Sequence, residues 1–284
     1  MLEAAVGGLI TGAFYALLGS GFALIFGVAR VFNLAHGELV VLGAYVGERL
    51  FHLTGLSPIL AMPLAALPGM VLALGARPLL RRVGEPFVLR ALVLTFGASL
   101  LLQSGLQTAF TADFRLVAVP AWDRGVALAG LSLPTGRLLV AGVALLVLGF
   151  LHLLFTRTFF GKSLRAVCLD REAASLAGIN PGQVDKIALG MGGALAGAAG
   201  PLFVAIQYVN PSAGIGPTLT AITLTIFGGV GSLGGLLLGG LLLGLAEGTA
   251  SWFGGPAWRE VTSLTLLLVL LRWRQTGLAR GRGD

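Results

Sequence analysis

Long apolar runs, broken only by short clusters of charge, Pro or Gly, fill the chain. They lie near residues 4–29, 38–54, 57–76, 88–108, 137–155, 187–208, 214–230, 233–250 and 257–272. A helix needs roughly 20 predominantly apolar residues to cross the hydrocarbon core, so each run predicts a span. The pattern is that of an all-α polytopic membrane protein with about nine transmembrane segments, in a range of about 8–10. Two runs keep a second reading. The stretch from Gly214 to Val230 is rich in Thr and Gly and also fits a segment that dips in and returns, which needs protein or a water-filled path to satisfy its backbone. The run from Ala257 to Leu271 is short and carries Glu260 near its start.

Composition strengthens this pattern. Of 284 residues, 56% are apolar and 11% charged, whereas a soluble domain carries about a quarter charged residues. The first run is too long for a signal-peptide core and has Glu3 where positive charge belongs, so it reads as a retained span. Residues 1–284 read as a single transmembrane domain. No soluble stretch exceeds about thirty residues, which places any ATP-driven engine on another chain.

The formal charge of +7 raises the question of nucleic acid. No long basic run supports such a partner, and the basic residues instead act as topology signals. They collect at Arg30, in loop 77–90, in loop 156–186 and in the tail at Arg272, Arg274, Arg280 and Arg282. Arg49, Arg115, Arg124, Arg137 and Arg259 fall on the other side of a nine-span alternation. The positive-inside rule then predicts an external N-terminus and a cytoplasmic C-terminus in a bacterial or archaeal inner membrane.

Small residues recur every four positions at Gly8, Gly12, Ala16 and Ser20, at Gly231, Gly235 and Gly239, and at Gly240, Gly244 and Gly248. Such stripes let helices approach closely in lipid. No convincing sequence repeat is present, although the Gly-rich segments 7–12 and 190–200 could mark two related halves.

Candidate chemistry is sparse. Phe160-Gly161-Lys162-Ser163 resembles the end of a phosphate-binding loop, but Thr156 stands where the first glycine is required and a span precedes it. The lone Cys168 forbids an intrachain disulfide, and no catalytic set, metal-ligand set or cofactor site stands out. Asn33, His36 and Glu38 form a polar string between the first two spans. An ionisable group there has to face water, pair with a neighbour or lie at a boundary, so the string reads either as a hydrogen-bonded break or as wall or gate of a translocation path. Glu247, near the end of a span, has the same ambiguity.

Between the fifth and sixth runs, Asp170 is placed to cap a short helix, with Glu172 in its first turn and Gly178 ending it before Asn180-Pro181. Ala173, Ala174, Leu176 and Ala177 give this helix a small-residue surface suited to a groove on another protein, with Arg165 and Arg171 as charges beside it.

Glu172-Ala173-Ala174, followed by three residues and Gly178, resembles the EAA signature of ATP-binding cassette (ABC) importer permeases, whose cytoplasmic loop docks on the ATPase. The segment from Gly161 to Val184 is similar to that loop in branched-chain amino acid permeases of the LivH/LivM type. Tyr15-Ala16-Leu17, the block from Val31 to Glu38 with Gly43-Ala44-Tyr45, and the block from Phe227 to Gly235 ending at Glu247 resemble two further blocks of that family. The resemblance implies an importer permease fold with a coupling loop at about 156–186, in which Arg165, Asp170, Glu172, Ala173, Ala174 and Gly178 meet the ATPase. It also implies two ATPase subunits, a second, LivM-like permease and a substrate-binding protein. The substrate is expected to be a branched-chain or other hydrophobic amino acid. Related permeases for urea share similar blocks, and a stand-alone secondary transporter or channel, coupled through Glu38, His36 or Glu247, is the alternative class.

Overall fold

Apolar length and the absence of backbone partners in lipid force helices, and helices dominate the computed structural model. It describes residues 1–122, 124–128, 131–229, 232–255 and 257–278. In chain order the long elements are α1 (Leu2–Ala29), α2 (His36–Thr54), α3 (Pro58–Arg82), α4 (Phe87–Phe110) and α5 (Thr135–Arg157). Two short helices follow, α6 (Phe159–Leu169) and α7 (Arg171–Leu176), then α8 (Pro181–Ile206), α9 (Ile215–Gly228), α10 (Leu233–Gly254) and α11 (Trp258–Leu278).

Among the described residues six helices are long and apolar enough to cross a membrane: α1, α3, α4, α5, α8 and α10. The other three predicted spans are helices of a different character. α2 carries His36, Glu38, Glu48 and Arg49. α9 has only 14 residues, about 21 Å at 1.5 Å per residue, against a core of about 30 Å. α11 carries Arg259 and Glu260 in its first turn. Arg77, Arg81 and Arg82, assigned to a loop by their charge, extend α3, and Lys186 belongs to the first turns of α8. Gly231, Arg280 and Arg282 lie outside the described residues.

The connection 109–136, left between two predicted spans, contains the strands of the chain among the described residues. Strands β1 (Gly125–Leu128) and β2 (Leu131–Pro134) pair antiparallel there, with Gly125 opposite Pro134 and Leu128 opposite Leu131. Upstream, Arg115 bridges to Val209, and the Val117 N–H donates to the Val204 carbonyl at 3.0 Å. The connection is therefore laced onto the bundle through satisfied backbone groups.

α1 and α8 are the most enclosed long helices. They cross antiparallel, with Gly21 against Gly192 at one end and Phe14 stacked on Phe203 at the other, ring centroids 6.2 Å apart. Each leads through an extended stretch into a short or polar helix, α2 or α9, and then into two more helices. Their outer neighbours correspond: α10 lies along α1 through Gly8, Gly12 and Gly244, and α3 lies along α8 through Gly69, Gly193 and Gly197. A methyl added at Gly8 would land on the Gly244 carbonyl, and one at Gly193 on the Gly69 carbonyl. Thus α1–α4 and α8–α11 repeat one plan in opposite directions, joined by α5–α7. This is the geometry of an inverted repeat, built where small residues let backbones touch.

Candidate functional site

At the basic end of the bundle, α6 and α7 form an elbow on the ends of α1 and α8. Thr158 caps α6, and the Asp170 carboxylate accepts from the Glu172 and Ala173 N–H groups at 2.9 and 3.0 Å. Gly178 takes φ +83°, a left-handed turn that closes α7 without a Cβ penalty. Asn180 then caps α8, whose first residue is Pro181. The inner side of the elbow, Leu164, Val167 and Ala174, packs with Leu24 and Val28 of α1 and Val184 and Ala188 of α8. Its outer side leaves Leu169 and Leu176 at 85% and 90% exposure. Arg171 is bound inward, to Asp185 and to the Val28 carbonyl, and is not a spare charge for a partner. Ala174 is likewise turned into the bundle. Ala173, Leu176 and Ala177 remain as outward small and apolar contacts, beside Glu172.

The second assembly lies inside the bundle, where the extended stretches end. Thr95 of α4 accepts from the Leu34 N–H and donates to the Phe32 carbonyl, holding the chain after α1. The Asn33 side chain accepts from the Ala35 N–H at 3.1 Å. His36 is fully buried, its Nε2 3.1 Å from the Leu18 carbonyl and its ring edge-on to Phe22. That contact fixes Nε2 as the protonated nitrogen, because a carbonyl only accepts. The Gly37 N–H donates to Thr218 Oγ1 of α9 at 2.8 Å, and Glu38 accepts from Ser99 Oγ at 3.3 Å. Gly214, at the start of α9, fits directly against the Glu38 carboxylate. Two broken helices thus meet N-terminus to N-terminus in the interior.

A third feature is a cleft of about 690 Å³ bounded by α1, α8, α9, α10 and α11. Tyr15 Oη donates to Glu247 Oε2 at 2.7 Å on its wall. Arg259, Thr220 and Thr223 also face it.

The family described as the branched-chain amino acid transport system permease component matches residues 4–271. The chain belongs to this family. It is 31% identical to the high-affinity branched-chain amino acid transport system permease protein BraD of Pseudomonas aeruginosa, over 98% of this chain and 95% of that protein. It is 29% identical to LivH of Escherichia coli K12, covering 98% and 94%. A probable LivH of Methanocaldococcus jannaschii is 27% identical over 93% and 88%. In fold it resembles PsaBC from Streptococcus pneumoniae, with TM-score 0.50, 14% identity and coverage of 95% and 90%. This permease is therefore a multi-pass protein of the cell membrane, and its relatives are membrane permease subunits rather than enzymes.

The structure sorts the sequence candidates of this permease into separate places. Arg165, Asp170, Glu172, Ala173 and Gly178 share the exposed elbow, with Arg165 bound to the Phe155 carbonyl at 2.6 Å. Asn33, His36 and Glu38 come together, but in a packed joint, and none of the three lines the cleft. Gly8, Gly12, Gly240 and Gly244 pack α1 on α10, while Gly235 and Gly239 face α9 through Gly228 and Phe227. Sequence reasoning missed the cleft. Arg259 and Glu260 at the head of a predicted span, and Glu247 inside another, were its signals, because ionisable groups are rare in spans.

Proposed function

We propose that this chain is one permease half of an ABC importer that takes branched-chain and related hydrophobic amino acids across the inner membrane. The observation that carries the reading is the elbow: a capped, outward-facing helix pair, fixed on the ends of the two central helices and presenting the EAA-type residues. A rigid coupling element is needed only where force arrives from another protein. The relatives' names support the substrate.

In this reading the N-terminus is external, the C-terminus and the loop at 156–186 are cytoplasmic, and the elbow seats in a groove of an ATPase subunit. ATP is hydrolysed there and not on this chain. Two such ATPases, a second, LivM-like permease and a substrate-binding protein complete the assembly. Asn33, His36 and Glu38 serve as a joint of the gate rather than as wall of the path, since buried polar groups held by hydrogen bonds specify one arrangement. The glycine contacts of α1 with α10 and of α9 with α10 hold these helices at close range within this half.

Reconstitution tests this. With its partner permease, both ATPases and the receptor in proteoliposomes, the chain should support leucine uptake that requires ATP and loaded receptor. Uptake by the chain alone, without an ATPase, would establish the secondary-transporter class instead.

A further inference from the structure

The cleft beside α9 is lined by three charged side chains: Glu247 and Arg259, which are held apart, and the exposed Glu260. Glu247 of α10 is 4% exposed, yet it accepts its hydrogen bond from the hydroxyl of Tyr15 and not from a cation. Arg259 of α11 lines the same cleft, and its buried Nε has no hydrogen-bond partner. Among the described residues the two form no ion pair within 4.0 Å, although such pairs do form elsewhere, as between Arg115 and Glu48 at 2.9 Å. An isolated charge inside a helical bundle is expensive and is retained where a ligand or a path needs it. Here the acid and the base face one space without direct contact, within reach of each other's field.

The rest of the wall agrees with a ligand that has charge at one end only of its length. Leu18, Phe203, Ile206 and Leu264 line it with hydrocarbon. Ile215 and Gly216, the first turn of α9, reach the cleft, and no side chain caps that end of the helix. That end of the helix already meets the Glu38 carboxylate through Gly214, so the cation this wall offers a carboxylate is Arg259. The volume of about 690 Å³ lies within the range of small-molecule sites, roughly 300–1,000 Å³. It leaves room for an aliphatic side chain and accompanying water.

We propose that this cleft is a transit site for a zwitterionic α-amino acid, with Arg259 receiving the carboxylate, Glu247 the ammonium group, and the apolar wall the side chain. Tyr15 positions the Glu247 carboxylate. The inference rests on the importer reading and adds to it a discrimination step inside the membrane: urea lacks both charges, and a fatty acid or a keto acid lacks the ammonium group. A site of this kind is weak by design, since a substrate has to leave it as readily as it enters.

The test uses the full assembly in proteoliposomes, with Glu247→Gln and Arg259→Gln in this chain. Each substitution keeps polarity and deletes charge. Leucine uptake should fall about tenfold in each, the effect of losing one charge-assisted contact, while ATP hydrolysis stimulated by loaded receptor stays within about twofold, because docking and the elbow are untouched. Uptake equal to wild type in both variants would overturn the site. If the wild-type assembly itself shows no ATP-dependent leucine uptake, the importer reading fails instead, and the two failures are distinct.

Should either variant not assemble, a second measurement decides. Ser263→Cys in a Cys168→Ser background places a thiol on the wall. Saturating leucine during ATP turnover should slow its modification by a small charged thiol reagent at least about threefold relative to turnover with an empty receptor, as partial occupancy of the cleft requires. Identical rates would overturn the proposal.

Discussion

Arg171 grips Asp185 with both arms of its guanidinium, Nη1 to Oδ1 at 3.0 Å and Nη2 to Oδ2 at 2.7 Å, and so ties α7 to the first turns of α8. The same Nη1 reaches the carbonyl of Val28 at the end of α1. One side chain therefore joins the elbow to both central helices. The Asp185 bond is also the main reason that the Arg171 guanidinium holds its proton more tightly than usual. The pair is partly exposed, with side-chain exposures of 40% and 22%, so its contribution to stability is small, about 0–1 kcal/mol. Its mechanical contribution is larger. Asp185→Asn should leave assembly near normal and reduce receptor-stimulated ATP hydrolysis several-fold. Full stimulation in that variant would mean that force passes from elbow to bundle through apolar packing alone.

The cap and the turn of α7 separate local stability from partner contact. Asp170→Ala removes an acceptor for two backbone N–H groups and should cost about 1 kcal/mol locally. Gly178→Ala forces a Cβ into the left-handed region at about 1–2 kcal/mol. Both should speed protease cleavage between 169 and 181. Glu172→Lys faces outward, so it should leave cleavage unchanged while lowering stimulated ATP hydrolysis. Faster cleavage in Glu172→Lys would place that side chain in the elbow's own structure.

Cys168 offers a readout that depends on pH. Burial pushes its thiol up, more than the nearby Arg30 and Arg171 pull it down, and the Sγ–H donates to the Gly27 carbonyl at 3.1 Å. Only the thiolate reacts. Maleimide labelling at neutral pH should therefore be slower than for a free thiol, and its rate should still climb about tenfold per unit through pH 8.5, where an ordinary cysteine begins to level off. A rate that begins to level off near pH 8.5, as for an ordinary cysteine, would show Cys168 freely solvated.

What could be read along the chain was local. Asp170, Glu172, Gly178 and Pro181 announced a capped turn because caps act over three or four residues, and the long apolar runs announced helices because only length matters to a bilayer. Pairings across the chain left no such mark. Tyr15 and Glu247 lie 232 residues apart, and Gly37 meets Thr218 across 181. The hairpin at 125–134 is too short for an alternation to stand out from the polar connection around it. Arg77 and Arg81 were placed in a loop because charge marks the membrane boundary, whereas α3 simply runs past that boundary.

The central joint can be dissected by two glycines that meet different obstacles. A methyl at Gly37 would fall on the backbone carbonyl of Gly214, whereas a methyl at Gly214 would fall on the carboxyl end of Glu38. Backbone held at both ends by helices cannot yield, but a side-chain terminus can, or can be removed. Gly37→Ala should therefore destabilise the assembled complex by more than the usual 1–3 kcal/mol of overpacking, and Gly214→Ala by an amount within that range. Combining Gly214→Ala with Glu38→Ala should recover part of the loss, with a coupling of about 0.5–3 kcal/mol, whereas Glu38→Ala should not rescue Gly37→Ala. Thermal unfolding of the detergent-purified complex measures these four and Glu38→Ala alone, which the cycle requires. Additive losses in the Gly214 pair would show that the two broken helices are not in contact there, and the joint would have to be rebuilt. Glu38→Gln completes the series, since it keeps the bond from Ser99. Normal assembly with reduced uptake assigns Glu38 to gating; normal assembly with normal uptake makes it structural.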